Sequence, residues 1–502
     1  MKKKEQVDYH SAMNLRFSFR SPACFMLAVA LIWGVPDMIC AQAIDSNLPE
    51  LGDAAGAGLS MQTEKKIGQE IMNEIRMREP SYLDDPEVEA YLNQLGNRLA
   101  AASPDPGIGF YFFPLNDPMI NAFAMFGGYI GVNSGLILAV QNESELAGVL
   151  AHEISHVTQR HLARGIARQN QISGVSLLAM AVALLAAHSN ADVAGAAMAS
   201  ASAGAIQAQL GFTRDFEREA DRIGFQTLDK AGFDVRSMAA FFARLQRATR
   251  NYENNAPVYL RTHPLNVERI SDMQNREQGH PYRQVLDSLD FHLVRARLQA
   301  MRGTPAEAVA YFKTLLTEQK TLNVTATQYG LAVAYARQND WQSAEKTLAD
   351  IRQGKDATPM IERLYAEARI KRGDLAGGLS VFRAALNRYP NANALVYAYG
   401  ESLLENRRLE DAQAFLDQSI RKNSADARLY KLQSRIYAAS GKAGLQHKAL
   451  AEAYALEGKL AAAIEQLELA QKTGGNDFYA SSAIDARLRQ LKLRQQEEAK
   501  LR

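Results

Sequence analysis

The segment His152-Glu153-Ile154-Ser155-His156 has the residue types and the spacing to hold a metal ion and to activate water beside it. On a helix of about 3.6 residues per turn, positions i and i+4 lie one above the other, so both imidazoles reach a single ion. Glu153 is rotated off that line toward an open coordination position, where its carboxylate can take a proton from a metal-bound water. Zinc lowers the pKa of such a water from roughly 15.7 to about 7, which makes the trio a generator of hydroxide for hydrolysis. The flanking residues Leu150, Ala151, Ile154 and Val157 are apolar or small, and an unpaired His, Glu and His among them would be costly. Three fixed positions in five also arise by chance, so the surroundings must decide.

A third ligand is required, and the next cluster of suitable residues begins 61 positions beyond His156. In Phe216-Glu217-Arg218-Glu219-Ala220-Asp221-Arg222, Glu217 and Asp221 share one helix face while Glu219 points elsewhere. Two His and a Glu from a second helix form an established catalytic zinc set with the fourth position left for water or substrate. Asp221, one turn on, suits the task of accepting the N–H of a ligand imidazole and fixing its tautomer. Standing alone, the charged residues from Arg214 to Arg222 read equally as a solvated helix laced by i, i+4 pairs. Beside the first motif, the ligand reading is the better one.

His152-Glu153-x-x-His156 with Glu217-x-x-x-Asp221 resembles metallopeptidase family forty-eight. The resemblance extends through Asn116 to Ala124, Gly127-Gly128-Tyr129-Ile130-Gly131-Val132 and Thr262-His263-Pro264. It implies that Glu153 is the base, that His152, His156 and Glu217 bind one zinc ion per chain, and that His263 is a switch able to fill the fourth metal position. Bound there His263 would silence the enzyme; swung away it could stabilise an oxyanion. Apart from the family, a lone His before Pro reads as a turn residue. The resemblance further implies unfolded or misassembled outer-membrane proteins as clients, the outer-membrane barrel assembly machinery as partner, and a Gram-negative periplasm as the setting. His161, His188, His280, His292 and His447 have no ligand spacing and are read as structural.

These side chains need rigid elements behind them. Asn142 followed by Glu145 has the pattern of a capping box ahead of Leu146, Val149, Leu150 and Ile154 at helical spacing, which predicts a helix with the metal motif in its interior. Asn121 to Ala124 and Tyr129 to Val132 are short β-prone runs joined by a Gly-Gly turn, a predicted hairpin. Its edge either receives an extended peptide substrate or merely covers the core.

A chain of 502 residues, 47% hydrophobic and 22% charged, is globular in composition and too long for one typical domain. Arg16 and Arg20, the apolar run Ala23 to Val35 and the small residues Ala41-Gln42-Ala43 have the layout of a secretory leader over residues 1–43, cleaved near Ala43; Met13 is an alternative start. Both cysteines, Cys24 and Cys40, fall inside it, so the exported chain has no disulfide and must hold a metal through N and O ligands. Of the 57 basic and 55 acidic residues, five basic and three acidic lie in the leader. The remainder is neutral, without a basic stripe, which excludes nucleic acid as a partner.

From Gly174 to Phe212 the chain is rich in Ala, Leu, Met and Gly around a polar break, the pattern of a helical hairpin that either packs inside the protein or makes peripheral membrane contact. Beyond Pro281, Trp341, Leu375 and Leu409 recur every 34 residues, as do Leu348, Phe382 and Leu416, and Gly373, Arg407 and Gly441. That is the period of tetratricopeptide repeats, whose stacked helix pairs present an extended concave surface for partners. The predicted architecture is mainly α. A zincin-like metalloprotease domain of helices and a small sheet (44–280) is followed by an α-solenoid of tetratricopeptide-like repeats (281–486) and a charged, solvated tail (487–502). The activity expected is hydrolysis of peptide bonds in misassembled proteins; the rival is a chaperone or scaffold with latent proteolysis.

Overall fold

The computed structural model describes residues 59–167, 214–249, 258–352, 357–473 and 478–500. The leader of residues 1–43 and the apolar hairpin of 174–212 lie outside them. Two helices come first. In α1 (Met61–Arg78) the Ser60 hydroxyl accepts from Thr63 N–H, and in α2 (Pro86–Ala102) the Asp85 carboxylate accepts from the N–H groups of Glu87 and Val88, with Pro86 at the first helical position. Both starts satisfy amides that a helix N-terminus otherwise leaves bare.

Strands β1 (Tyr111–Leu115), β2 (Ala122–Ala124) and β3 (Tyr129–Asn133) form a sheet in the order β1-β3-β2. β3 is central, parallel to β1 and antiparallel to β2 with Phe123 opposite Gly131. The predicted hairpin is therefore β2–β3. Its turn is a short 3-10 segment in which Gly127 and Gly128 take φ of 73° and 85°, a region nearly closed to residues with a Cβ. β1 has no counterpart in the sequence reading, because Pro114 interrupts its pattern. The strand lies at the sheet edge, where a missing N–H is harmless.

Helices α3 (Ser134–Ala139), α4 (Glu143–Thr158), α5 (His161–Ala167), α6 (Arg214–Lys230), α7 (Arg236–Thr249), α8 (Val258–Thr262) and α9 (Val267–Glu277) complete the first half. Asn142 caps α4 by accepting from Glu145 N–H. The reciprocal bond of a capping box is displaced by one residue: Glu145 accepts from Gln141 N–H at 2.7 Å and also holds Arg244 at 2.5 Å. Nearly all of α4 is buried, the position required of a helix whose functional groups must be kept from bulk water.

Paired helices follow from Leu289: α10 (Leu289–Ala300) with α11 (Pro305–Thr317), α12 (Val324–Arg337) with α13 (Trp341–Arg352), and α14 (Pro359–Lys371) with α15 (Leu375–Arg388). The series continues with α16 (Asn393–Glu405) and α17 (Leu409–Lys422), α18 (Ala427–Ala439) and α19 (Ala443–Leu456), and α20 (Leu460–Lys472) and α21 (Phe478–Lys500). The period of 34 residues has a physical content at each position. Trp341, Leu375 and Leu409 begin the second helices, Leu348, Phe382 and Leu416 are fully buried, and Gly373, Arg407 and Gly441 take the positive φ of the turns. The pairs begin some 50 residues before the first repeat legible in the sequence.

Two packing features bear on the expected domain bounds. The hydrophobic core runs without a break from Val88 through Leu150 and Phe291 to Leu364, across residue 280. The tail from Arg487 is not wholly solvated: Leu488 and Leu491, with Ile484, are buried in a cluster with Leu467 and Ile464 of α20. The start of α2 is also gripped by the repeats. Arg297 of α10 reaches Asp85 at 2.6 Å and Glu87 at 3.2 Å, Arg363 of α14 reaches Glu87 at 2.6 Å, and Arg428 of α18 reaches Glu89 at 2.7 Å. Asn73 of α1 donates to the Glu457 carbonyl at 2.7 Å. First helices of the pairs thus bind the N-terminal half itself. Among the described residues no helix is long and apolar enough to cross a membrane.

Candidate metal centre

Helix α4 presents His152 and His156 one turn apart, α6 brings Glu217 and Asp221 against them, and the end of α8 delivers His263. One ligand atom from each of His152, His156, Glu217 and His263 lies within 4.8 Å of all the others, and all four residues are buried. His152 Nε2 stands 3.0 Å from His156 Nε2 and 3.5 Å from Glu217 Oε2, and His156 Nε2 stands 3.6 Å from Glu217 Oε1. His263 Nδ1 is 3.4 Å from His152 Nε2 and 3.0 Å from Glu217 Oε1.

The donor set fits zinc. Ligand atoms about 2.0–2.1 Å from a tetrahedral ion are separated from each other by roughly 3.3 Å, which is the scale of these contacts. Imidazole nitrogens and a carboxylate gathered this closely repel unless a proton or a cation lies among them. The effect is visible in the groups themselves. Burial and the neighbouring His152 hold His156 well below the usual imidazole range. Burial would also lower His152, but its bonds to Asp221 and Glu217 outweigh it and raise the ring to about 9. Burial would raise Glu217, yet His263 and His152 keep its carboxyl well below the ordinary value.

Glu153 is completely buried, which pushes its carboxyl up. Its Oε2 accepts from Ala124 N–H of β2 at 3.1 Å, and its Oε1 makes no hydrogen bond, with His263 Nε2 3.5 Å away. Among the described residues β2 pairs with β3 alone, and this amide shows that its other edge faces α4. Asp221 Oδ1 lies 3.0 Å from His152 Nδ1. A Cβ on Gly224 would come within 3.1 Å of His152 Cα and N, so the bare glycine is what lets α6 lie this close to α4.

Four residues without a sequence signal as site residues complete the site. Arg269 of α9 donates from Nε and Nη2 to Asp221 at 2.7 and 2.8 Å, and from Nη1 to the Pro264 carbonyl at 2.8 Å, with Glu217 Oε2 2.7 Å from the same nitrogen. It ties the helix bearing Glu217 to the segment bearing His263. His161, read as structural, lies against His156, and Glu219 lies against His161. Tyr259 is fully buried with its ring 4.8 Å from that of His263. Spacing could not reveal these contacts, because each joins elements whose mutual placement is set by the core.

Comparison with known proteins gives a consistent result. Residues 86–277 match the model of peptidase family M48, and residues 369–436 match that of the tetratricopeptide repeat. The beta-barrel assembly-enhancing protease of Escherichia coli (strain K12) is 35% identical over 352 residues, 70% of this chain and 70% of its own. A Vibrio cholerae protein described in like terms is 40% identical over 319 residues, 62% of this chain and 65% of its own, a little under two thirds. The mitochondrial metalloendopeptidase OMA1 of Arabidopsis thaliana is 27% identical over 225 residues, 45% of this chain and 43% of its own.

Proposed function

The chain belongs to peptidase family M48, a family of metalloendopeptidases, and from that premise we propose that it is a zinc-dependent endopeptidase of the Gram-negative periplasm that degrades misassembled outer-membrane proteins. The observation that carries the enzymatic part is the convergence of His152, His156, Glu217 and His263 beside the buried Glu153. The kinship to beta-barrel assembly-enhancing proteases supports barrel proteins as clients and their assembly machinery as partner, with the repeats as the surface that meets them. The leader layout of residues 1–43 supports export, and the apolar segment 174–212 supports peripheral membrane contact.

His152, His156 and Glu217 would hold a zinc ion, whose positive charge would be available to polarise a scissile carbonyl and to acidify a water. The remaining work falls to the chain. Glu153 accepts the proton of that water on Oε1, the oxygen free of hydrogen bonds, while Ala124 N–H holds Oε2 in place. It then returns the proton to the departing amine. Asp221 holds His152 through Nδ1 and is itself fixed by Arg269. An extended substrate lying along the edge of β2 that faces α4 would bring its carbonyl to the cluster, with the Ala124 N–H kept by Glu153. His263 acts as the latch, its ring standing among the ligands where substrate must enter.

The rival is a chaperone or scaffold with latent proteolysis, and one observation favours it: with His263 in place the whole cluster is buried. Zinc content and casein cleavage of the purified protein, compared between wild type, Glu153→Gln and His263→Ala, separate the readings. One zinc per chain with cleavage that requires Glu153 and rises in His263→Ala is the expected result. Zinc without cleavage in either form that retains Glu153 would give the function to the scaffold, and absence of zinc would defeat the mechanism.

A further inference from the structure

His156 presents Nε2 to the cluster and turns Nδ1 away, to a point 2.9 Å from His161 Nδ1. A neutral ring that offers its Nε2 lone pair to a cation carries its proton on Nδ1. That proton needs an acceptor, and His161 Nδ1 is at hydrogen-bond distance. Accepting there leaves His161 with its own proton on Nε2, which lies 3.0 Å from Glu219 Oε2. The same oxygen accepts from Arg164 Nη1 at 2.9 Å. The donor and acceptor roles along the series His156, His161, Glu219 and Arg164 are thus mutually consistent, with Arg164 Nη1 donating also to the Gln159 carbonyl at 3.2 Å.

The series is held from outside. The His161 ring stacks on Phe216 at 4.5 Å and 11°, and the Arg164 guanidinium lies 4.7 Å from the same phenyl ring. His161 folds back over His156 because Arg160, between α4 and α5, has a φ of 52°, a left-handed conformation that is unfavourable for arginine. Its guanidinium is clamped by Glu64 of α1 at 2.6 and 2.9 Å and donates also to the Leu59 carbonyl. Backbone strain of this kind persists where the surroundings over-determine it, commonly beside functional groups.

We infer that His161 and Glu219 are positioning residues for the metal centre, an imidazole–carboxylate relay that fixes the tautomer and the ring plane of His156. The two ligand histidines are then oriented by different devices: His152 by the carboxylate of Asp221 directly, and His156 by a carboxylate acting through a second imidazole. The inference rests on the reading of His156 as a zinc ligand. Outer partners of this kind typically change metal affinity by about 10–100-fold.

The test is zinc affinity by chelator competition on the full chain, with the cobalt(II) absorption spectrum and the unfolding temperature of the metal-free protein as companion readouts. The variants are His161→Phe, which keeps the stack on Phe216, His161→Gln, which keeps a donor and an acceptor, and Glu219→Leu at a half-buried site. We expect zinc to bind about 10–100-fold more weakly in His161→Phe and Glu219→Leu, with an altered cobalt spectrum and a nearly unchanged metal-free unfolding temperature. His161→Gln should recover most of the affinity. Unchanged affinity in His161→Phe and Glu219→Leu overturns the relay, as does an equal loss in His161→Gln and His161→Phe, which would mean packing alone. If His161→Phe does not fold, the pair of Glu219→Leu and His161→Gln still decides the matter. Failure of wild type to bind zinc removes the metal centre and the relay together, and shows in the wild-type measurement alone.

Discussion

Replacing Gly224 with Ala is the sharpest test of how the two ligand-bearing helices are spaced. Alanine is the better helix former by about 1 kcal/mol, so on propensity alone Gly224→Ala should stabilise α6. The structure reverses that sign. The new Cβ would stand 3.1 Å from both Cα and N of His152 and 3.2 Å from the carbonyl carbon of Ala151, and all three are backbone atoms that cannot swing aside. Carbon atoms pack at roughly 3.5–4.0 Å, so α6 must retreat from α4 by about 0.5 Å. Overpacking of this kind costs about 1–3 kcal/mol, enough to cancel the propensity gain. The larger effect falls on the metal. Glu217 and Asp221 ride on α6 while His152 and His156 ride on α4, and a ligand distance tolerates only about 0.2 Å of error. The expected outcome is zinc affinity at least tenfold weaker, measured by chelator competition, with a stability of the metal-free protein that is unchanged or lower. A variant that binds zinc as tightly as wild type and melts higher would refute this account of the helix contact.

Two further predictions concern the junction with the repeats. Glu87→Gln removes the carboxylate that Arg297 and Arg363 share, and should cost toward the lower end of the roughly 3–5 kcal/mol typical of a broken buried pair, because Arg297 keeps Asp85 and Arg363 keeps Glu367; a denaturant midpoint equal to wild type would contradict it. Asp85 carries the pH dependence. Burial would raise its carboxyl, but Arg297 and Arg363 hold it below the ordinary value, so its stabilisation is full above the unfolded carboxylate pKa of about 3.9 and is lost as pH falls through the lower folded value. Asp85→Asn, which still caps α2, should therefore lower stability at neutral pH and flatten the loss on acidification below about pH 4; the same acid limb in both proteins would exclude Asp85 as its source.

The parts of the site that lie on one helix were legible in the sequence, and the parts made between helices were not. His152, Glu153 and His156 follow from helical geometry, and Glu217 and Asp221 follow from a shared face of α6. Their approach across 61 residues was inferred from what zinc requires of a third ligand. His263 entered through family resemblance, since a His before Pro has no periodicity to read. Arg269 and His161 had no signal at all: the first depends on α9 packing behind α6, the second on the left-handed turn at Arg160. In the fold, the repeats were visible where Leu, Phe and Trp recur at 34 residues and invisible in α10 to α12, because the equivalent Gly303 and Phe312 lie 36 residues before Asn339 and Leu348. β1 was hidden by Pro114, which only an edge strand accommodates.

Arg297, Arg363 and Arg428 come from the first, third and fifth helix pairs and meet three acidic residues within one turn of α2. An open solenoid can gain or lose a repeat in evolution and merely become longer or shorter. Here an inserted pair would carry every later cation one step past its anion, leaving Glu89 and Arg428 unmatched. The peptidase half thus acts as a ruler for the array, and the number of repeats between Arg297 and Arg428 is set by the spacing of charges at the start of α2, independently of the size of any partner. Changes of length can be accommodated only beyond the fifth pair, toward α20 and α21, and that end of the chain is where variation among relatives should collect.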